Sequence, residues 1–310
     1  MATRPGPVPQ LGLGASSPRA AARRLPAVLA RCVIEARPVV QLMVLLRFAT
    51  AALLSAGPVW PGRQLLSGCA AMVTISTCVY LVNGITDLAG DVANGSTRPL
   101  ARGRLGLDDA RTAAWVLGVG GLLLALETGL ALTGCALAMA VAGLGYSCGE
   151  RPWKNRPHTA GISIGVLGAS AYLAGCVCTG RLAVPPLLLG AAMTLWMSLV
   201  GARTKDFSDV TGDLVAGRLT QAGGPGERAL RRRTAASAVA VATAFLVLAC
   251  WQAHLLVWSA TALLLVAGSV AVLVLRGSSA DGRARARRPY RAFMLGQYSA
   301  HVLVIASVLN

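Results

Sequence analysis

Long apolar runs dominate this chain, and they restrict the folds that it can adopt. An α-helix needs about 20 apolar residues to cross the hydrocarbon core of a bilayer, and runs near that length recur from one end of the sequence to the other. We predict an all-α integral membrane protein, a bundle of about nine transmembrane helices. The predicted spans are residues 38–57, 64–85, 110–127, 130–147, 161–180, 185–203, 234–252, 255–275 and 289–309.

The composition agrees with lipid as the solvent for most of the chain. Only 13% of the 310 residues are charged and 55% are hydrophobic, whereas a soluble domain carries about 25% charged residues. The net charge of +17 would suit nucleic acid on a soluble domain, but here the basic residues fall in loops between the apolar runs. We therefore expect membrane lipid around the protein and no nucleic-acid partner.

The first part of the chain differs from the rest in composition. Residues 1–25 are rich in Pro, Ala and Arg, and they lack the apolar core that precedes a signal-peptide cleavage site. We predict a disordered basic tail over residues 1–25 and one transmembrane domain over residues 26–310.

Arginine and lysine are distributed unevenly between the two ends of the predicted helices. They collect in the N-terminal tail and in the loops after the second, fourth, sixth and eighth spans, whereas the other side receives Arg63 and Arg181. Positive loops stay on the cytoplasmic side of a membrane, so we expect the N-terminus and these loops in the cytoplasm, with the protein in the cell membrane. Two of the loops, residues 86–110 and 204–233, are long enough to indicate a functional role.

Both long loops are predicted to begin with a cluster of oxygen-bearing side chains. In the first cluster Asn83, Asp87 and Asp91 recur every four residues, so on a helix they lie on one side. Five of the twelve acidic residues in the chain fall in the two clusters. The second cluster consists of Asp206, Asp209 and Asp213.

These clusters suit a magnesium site. A carboxylate near the membrane interior is unfavourable unless it is paired or bound to a metal, and hard oxygen ligands suit Mg²⁺, which commonly bridges to substrate phosphates. Any single aspartate is explained equally well as a helix cap or as a charge that balances a nearby arginine. Two clusters on two loops of the same side favour Mg²⁺.

Basic residues beside the clusters indicate a phosphate ligand. Lys154 and Lys205 are the two lysines of the chain, and both lie on the side of the acidic clusters, while Arg98 follows the first cluster by seven residues. A flexible ammonium group in a chain that otherwise uses arginine suggests contacts with phosphate oxygens. Positive charge that sets the topology explains Arg102, Arg104 and Arg231 to Arg233, and we assign these five residues no role.

The two clusters and their flanking segments resemble the motifs of the UbiA superfamily of intramembrane prenyltransferases. Members carry N-x-x-x-D-x-x-x-D after the second helix and D-x-x-x-D after the sixth, as residues 83–91 and 209–213 do here. Arg98 opens the Arg-Pro-Leu that follows the first motif, and the pair Tyr146 and Ser147 resembles the family's loop after the fourth helix. Many members have an acid after the asparagine, where this chain has Gly84; that acid is not a usual metal ligand.

The resemblance implies a reaction and a set of roles. Two Mg²⁺ ions would bridge a prenyl diphosphate, and Lys154, Lys205 and Arg98 would support the diphosphate as it leaves. The ring of Tyr146 would face the allylic cation, and Ser147 would lie in the substrate site. The prenyl group would then pass to an aromatic or other lipophilic acceptor, which makes the protein a prenyl-group transferase. The implied metal ligands are Asn83, Asp87, Asp91, Asp206, Asp209 and Asp213.

One arginine lies inside an apolar run. Arg47 falls in the middle of the first predicted span, and a guanidinium at that depth is a functional candidate by default. It would pair with a carboxylate or phenolate on the acceptor. An internal salt bridge to an aspartate of the clusters, or extension to the membrane interface, explains it equally well, and the sequence leaves these alternatives open.

Two other functions compete with prenyl transfer. A membrane terpene cyclase of the same superfamily would use the same metal site without an acceptor, but cyclases need aromatic rings to stabilise successive cations and only 5% of this chain is aromatic. A cation transporter or anionic-lipid-binding protein would place polar groups near the bilayer midplane, whereas these acids gather at one surface. The aromatic candidates to line a cyclase cavity are Tyr80, Tyr146, Tyr172, Phe207 and Tyr298.

Overall fold

The regular structure of this chain is helical throughout the part that its computed structural model describes, which comprises residues 18–56, 62–218 and 222–309. In chain order the helices are α1 (Pro18–Glu35), α2 (Pro38–Ser55), α3 (Gly62–Thr86), α4 (Leu88–Ala93), α5 (Leu107–Thr128), α6 (Leu130–Ser147), α7 (Pro157–Cys178), α8 (Val184–Trp196), α9 (Ala202–Val215), α10 (Glu227–Gln252), α11 (Val257–Arg276), α12 (Arg283–Ala286) and α13 (Arg288–Leu309).

Nine helical segments within the described ranges are long and apolar enough to cross a membrane. A lipid-embedded backbone must satisfy its own hydrogen bonds, so runs of Leu, Val and Ala of this length form continuous helices. Each predicted span overlaps one of the nine segments, and the predicted fold class is confirmed. The segments are α2, α3, α5, α6, α7, α8 together with α9, α10, α11 and α13.

The sixth span extends beyond its predicted end at residue 203. Helix α8 continues through one π-helical turn, Met197–Gly201, into α9, which ends at Val215. Residues 204–215 were expected at the start of a long loop and are helical instead. Gly201, the last residue of this turn, leaves room for the ring of Phe293, because a Cβ atom on Gly201 would overlap that ring. Single π turns of this kind often lie at functional sites.

The N-terminal boundary also differs from the expected one. Of the predicted tail, residues 1–17 lie outside the described residues, and residues 18–25 belong to α1. The chain turns sharply between α1 and α2 at Arg37, whose φ of 58° is the one positive φ among the non-glycine residues that the structure describes. Pro38 then begins α2, where its fixed φ and missing N–H are compatible with the first helical turn. This turn brings Glu35 and Arg37 into the neighbourhood of the acidic clusters.

Small residues allow the helices to approach closely. A Cβ atom on Gly175 of α7 would overlap the carbonyl oxygen of Phe48 and would lie 3.0 Å from the backbone nitrogen of Ala52, so α2 and α7 pack backbone against backbone at this point. Such contacts between small residues are the usual basis of helix association in lipid. Larger side chains fill the rest of the interior, including Trp196, Phe245 and Phe293 on the α8–α10–α13 side.

Candidate active site

The two acidic segments meet although more than a hundred residues separate them. Helix α4 crosses α9 at a pair of glycines, where a Cβ atom on Gly90 would lie 3.1 Å from the carbonyl oxygen of Gly212. The backbone N–H of Gly212 donates to Asn94 Oδ1 over 2.9 Å. The absence of side chains at this crossing lets the end of α3 and the helix α9 carry their aspartates to the same end of the bundle.

Asp87 stands at the centre of the first cluster. It accepts a hydrogen bond from Asn83 Nδ2 at 2.9 Å and pairs with Lys154 Nζ at 2.6 Å. Burial by itself would raise the pKa of Asp87, but the charges of Lys154 and Lys205 outweigh burial and hold that pKa below its usual range. The carboxylate is therefore ionised at neutral pH. Asn83 Nδ2 also lies 3.4 Å from Ser147 Oγ, which ties the end of α6 to the cluster.

The second cluster carries its own basic partners. Asp213 pairs with Arg218 Nη1 at 3.0 Å. Asp209 lies 3.7 Å from Lys205 Nζ and 3.6 Å from Arg283 Nη2. The side chain of Asp206, one turn earlier on α9, makes no hydrogen bond or ion pair within the described part of the chain.

A continuous chain of polar contacts links the two clusters. Lys154 pairs with Asp87 through its ammonium group, and its backbone carbonyl accepts a hydrogen bond from Arg218 Nη2 at 3.3 Å. Arg218 in turn pairs with Asp213. Arg283 makes a second link, since it contacts Asp209 and donates to the carbonyl of Asn94. The carboxylates of both segments therefore lie around one mouth at one end of the bundle.

Arg98 is engaged on every side by protein groups. Its Nη1 pairs with Asp91 Oδ2 at 2.6 Å, and its Nε lies 2.8 Å from Glu35 Oε1. Its Nη2 donates to the carbonyls of Glu35 at 2.9 Å and Tyr80 at 3.3 Å. With its guanidinium buried and directed at these partners, Arg98 orients Asp91 and has little donor capacity left for a ligand.

A cavity runs from the polar mouth into the bundle. It encloses about 940 Å³ of empty space, a volume that includes solvent at its open mouth. Polar side chains line its outer part, among them Asn83, Ser147 and Lys205. Tyr146 lies on the wall, and the inner part is largely apolar, with residues such as Met43, Val79, Ile164, Leu167 and Met294.

Arg47 lies on the wall of this cavity and is 5% exposed. Its Nη2 donates to Gln297 Oε1 at 2.7 Å and lies 3.0 Å from Met197 Sδ. The described residues contain no carboxylate paired with Arg47, so it makes no internal salt bridge there. Its side chain is buried and does not extend to the membrane interface. Arg47 Nε and Gln297 Nε2 are both buried donors that make no hydrogen bond.

The donor set at the mouth fits a hard divalent cation. It consists of carboxylate oxygens and the amide oxygen of Asn83, the ligand types that Mg²⁺ prefers. Among the described residues no three His, Cys, Asp or Glu side chains stand close enough to hold a metal ion together, because each of Asp87, Asp91, Asp209 and Asp213 leans towards a basic residue. Coordination of Mg²⁺ by these carboxylates would require the ion pairs to open.

Several residues of this mouth carried no signal in the sequence. Asn94 and Arg218 do follow the two clusters closely in sequence, but polar residues there are equally ordinary for a loop, and the contacts of the others appear only in the folded chain. These residues are Glu35, Arg37, Asn94, Arg218, Arg283 and Gln297.

Comparisons with known proteins identify relatives of this chain. Residues 44–296 match the family model for the UbiA prenyltransferase family. A digeranylgeranylglyceryl phosphate synthase of Methanoculleus marisnigri is 28% identical over 168 residues, 54% of this chain and 58% of that protein. A 2-acylphloroglucinol 4-prenyltransferase of Humulus lupulus is 30% identical over 156 residues, 46% of this chain and 37% of that protein. The matched region thus covers less than two thirds of either relative.

Solved structures share the fold. A UbiA homolog from Archaeoglobus fulgidus bound to GPP and Mg²⁺ superposes with a TM-score of 0.65 at 15% identity, over 90% of this chain and 100% of that one. A digeranylgeranylglyceryl phosphate synthase gives a TM-score of 0.67 at 17% identity, over 91% and 99% of the two chains. At these identities the likeness is one of architecture.

The buried Lys154–Asp87 pair predicts a measurable coupling energy. Lys154→Met leaves the Asp87 carboxylate without its partner, so each single variant should lose stability and the Lys154→Met/Asp87→Asn double variant should lose less than the sum. We expect a coupling energy of about 1–3 kcal/mol, measured by denaturation in mixed micelles. The exposed Arg111–Asp108 pair is the control and should show coupling near zero. Additive effects at Lys154 and Asp87 would contradict the prediction.

Proposed function

Because the chain belongs to the UbiA prenyltransferase family, we propose that it transfers a prenyl group from a prenyl diphosphate to an aromatic or other lipophilic acceptor within the membrane, with Mg²⁺ as cofactor and diphosphate as leaving group. The observation that carries the proposal is the meeting of two carboxylate segments at the mouth of an apolar cavity. A polar mouth suits a diphosphate, and an apolar interior suits the isoprenoid chain attached to it.

The metal ligands in this proposal come from both segments. Asn83 and Asp87 from the first, and Asp209 and Asp213 from the second, would hold Mg²⁺, with Asp91 and Asp206 completing the set. When bound, Mg²⁺ supplies positive charge that stabilises the departing diphosphate. Support comes from the fit of these oxygen donors to a hard cation and from the structure of the A. fulgidus homolog bound to GPP and Mg²⁺.

The basic residues of the mouth would exchange partners when the substrate binds. Lys154, Lys205 and Arg218 neutralise aspartates in the structure, and a diphosphate with its cations would free them to contact phosphate oxygens. Preorganised positive charge aimed at a leaving group is among the largest contributions to catalysis. Arg98 would not contact the diphosphate, because its donors are already bound to Asp91 and Glu35. Its role in this proposal is to orient the carboxylate of Asp91.

The cavity wall would guide the reacting carbon. The C–O bond of the allylic diphosphate breaks with its electron pair going to the leaving group, and the allylic cation is then attacked by an electron-rich acceptor, which afterwards loses a proton. The face of the Tyr146 ring would stabilise the cation, and Ser147 would help to position the substrate beside Asn83. The apolar lining excludes water that would otherwise quench the cation.

Transfer fits this cavity better than cyclisation. Of the five aromatic residues expected to line a cyclase site, only Tyr80 and Tyr146 belong to the cavity wall within the described residues, although Tyr290 and Phe293 join them. The rings of the other three have separate contacts. Phe207 lies under Arg231, Tyr172 is bound to His301, and Tyr298 donates to the carbonyl of Val39. The positive charge of Arg47 on the wall would also oppose a series of migrating cations.

The purified protein should release diphosphate from at least one of geranyl, farnesyl and geranylgeranyl diphosphate when Mg²⁺ and phenolic acceptors are present. Asp87→Asn and Asp213→Asn should each lower the rate by about 100-fold or more, since each removes a carboxylate that would hold Mg²⁺ against the departing diphosphate. A coupled diphosphate assay measures this. Asp108→Asn removes an exposed carboxylate of α5 and serves as the matched control with an unchanged rate. No release from any of the three substrates would refute the proposed reaction.

Arg47 would bind the acceptor. Its Nε and the Nε2 of Gln297 are buried, unpartnered donors on the cavity wall, and a carboxylate or phenolate oxygen of the acceptor would satisfy both. An unpaired buried guanidinium is unfavourable, so an anionic acceptor group would gain from this position more than a neutral one. We therefore propose an acceptor that carries an ionisable oxygen beside its nucleophilic atom.

Arg47→Met should raise the KM for a hydroxybenzoic acid acceptor by about tenfold or more, the loss expected for a hydrogen bond to a charged group, and should leave the KM for prenyl diphosphate close to that of the wild type. The methyl ester of the same acceptor should be a poorer substrate for the wild type, and its KM should be nearly the same for the wild type and the Arg47→Met variant. An unchanged acceptor KM in a variant that is merely less stable would assign Arg47 a structural role.

We also propose that the mouth faces the cytoplasm, because the arginine-rich loops share its end of the bundle. In a background without native cysteines, Arg181→Cys at the opposite end should react with an impermeant maleimide added to intact cells. Arg104→Cys, exposed beside the mouth, should react only after lysis. The reverse pattern would invert the proposed topology.

A further inference from the structure

We propose that Glu35 is a positioning residue of the active site, one that supplies from α1 the carboxylate needed by Arg98 and occupies the space that a side chain at position 84 would fill. This inference rests on the proposed function, since the group it positions is Asp91. Glu35 is a member of neither acidic cluster and is distant from both in sequence.

Glu35 holds the segment after the first cluster at two points. Its side chain is fully buried, with Oε1 2.8 Å from Arg98 Nε and Oε2 accepting the backbone N–H of Leu100 at 2.9 Å. Its own carbonyl accepts from Arg98 Nη2 at 2.9 Å. The last turn of α1 therefore fixes both the guanidinium of Arg98 and the backbone two residues further on.

The effect of this contact reaches Asp91 through one residue. Arg98 Nη1 pairs with Asp91 Oδ2 at 2.6 Å. On the other side of the guanidinium, the Glu35 carbonyl accepts hydrogen bonds and the Glu35 carboxylate lies 2.8 Å from Nε as a second negative charge. Without that carboxylate, Asp91 alone balances the buried guanidinium among the described residues. Without Glu35, Arg98 would turn further towards Asp91 or towards water, and in either case the carboxylate would be held in a different position.

Glycine at position 84 makes this arrangement possible. A Cβ atom built on Gly84 would overlap Glu35 Oε1 and would lie 2.5 Å from Arg98 Nη2. The Glu35 carboxylate and any side chain at position 84 therefore compete for the same volume. The same geometry means that an aspartate at position 84 would carry its carboxylate directly to the Arg98 guanidinium, which is the role that Glu35 fills.

This competition predicts a rescue between the two positions. Glu35→Ala removes the carboxylate, and Gly84→Asp inserts a second one into occupied space, so each single variant should lower the rate of diphosphate release by about 10–100-fold, as misplaced catalytic groups do. The double variant Glu35→Ala/Gly84→Asp has one carboxylate and lacks the Glu35 side chain, so only the flexible Arg98 guanidinium has to shift to admit the new residue. Its rate should recover to within about threefold of the wild type, because the Arg98–Asp91 pair is restored.

The Mg²⁺ requirement separates positioning from simple stability. Each single variant should need a higher Mg²⁺ concentration for half-maximal rate, and the double variant should return to the wild-type value. Glu127→Ala is the matched control, because it removes a glutamate that pairs with an arginine at the opposite, exposed end of the bundle. It should leave both the rate and the Mg²⁺ requirement unchanged.

Two results would overturn the inference. One is a Glu35→Ala protein with wild-type rate and Mg²⁺ requirement. The other is a double variant no better than the worse of its two single variants. A wild-type protein that releases no diphosphate would refute the proposed function instead. The rescue between positions 35 and 84 would then be tested by melting temperature, which must be higher for the double variant than for either single variant.

Discussion

The neutralisation of carboxylates at the edge of a membrane is the constraint on which the rest of this structure depends. An ionised aspartate in a medium of low dielectric constant is unfavourable unless a positive group lies beside it. Each of Asp87, Asp91, Asp209 and Asp213 has such a partner, and those partners come from four different connections between helices. The ion pairs therefore draw distant parts of the chain to one mouth. In the proposed function Lys154 and Arg218 would then be in place for a diphosphate.

Glycine determines how closely the two acidic segments can approach. The crossing of α4 and α9 at Gly90 and Gly212 removes the side chains that would keep the segments apart, and the missing side chain at Gly84 admits the carboxylate of Glu35. In both places a backbone without a Cβ atom decides the position of an acid. Behind the mouth, the cavity has a largely apolar wall and two buried donors without a hydrogen-bond acceptor, on Arg47 and Gln297. In the proposed function the apolar wall would take the isoprenoid chain and the two donors would face the acceptor oxygen.

The sequence predicted the helices of this protein better than the side-chain contacts between them. Spans such as α3 and α11 follow from the length of apolar runs, because lipid leaves the backbone no alternative to a helix. The spacing of Asn83, Asp87 and Asp91 likewise follows from helical periodicity. The sequence did not predict that the helix continues through the π turn to Val215, because charged residues in this segment are typical of a loop. Glu35 and Arg218 were missed because the choice of an ion-pair partner depends on tertiary contacts that no local pattern encodes.

The central claim is that both carboxylate segments bind the same cations over one diphosphate. A crystal structure with Mn²⁺ and a non-hydrolysable prenyl thiodiphosphate tests it most directly, because anomalous scattering locates the metal independently of the protein. We expect anomalous peaks between Asn83 and Asp87 on one side and Asp209 and Asp213 on the other, each in contact with the diphosphate. Metal bound to one segment alone, or a diphosphate held away from both, would contradict it.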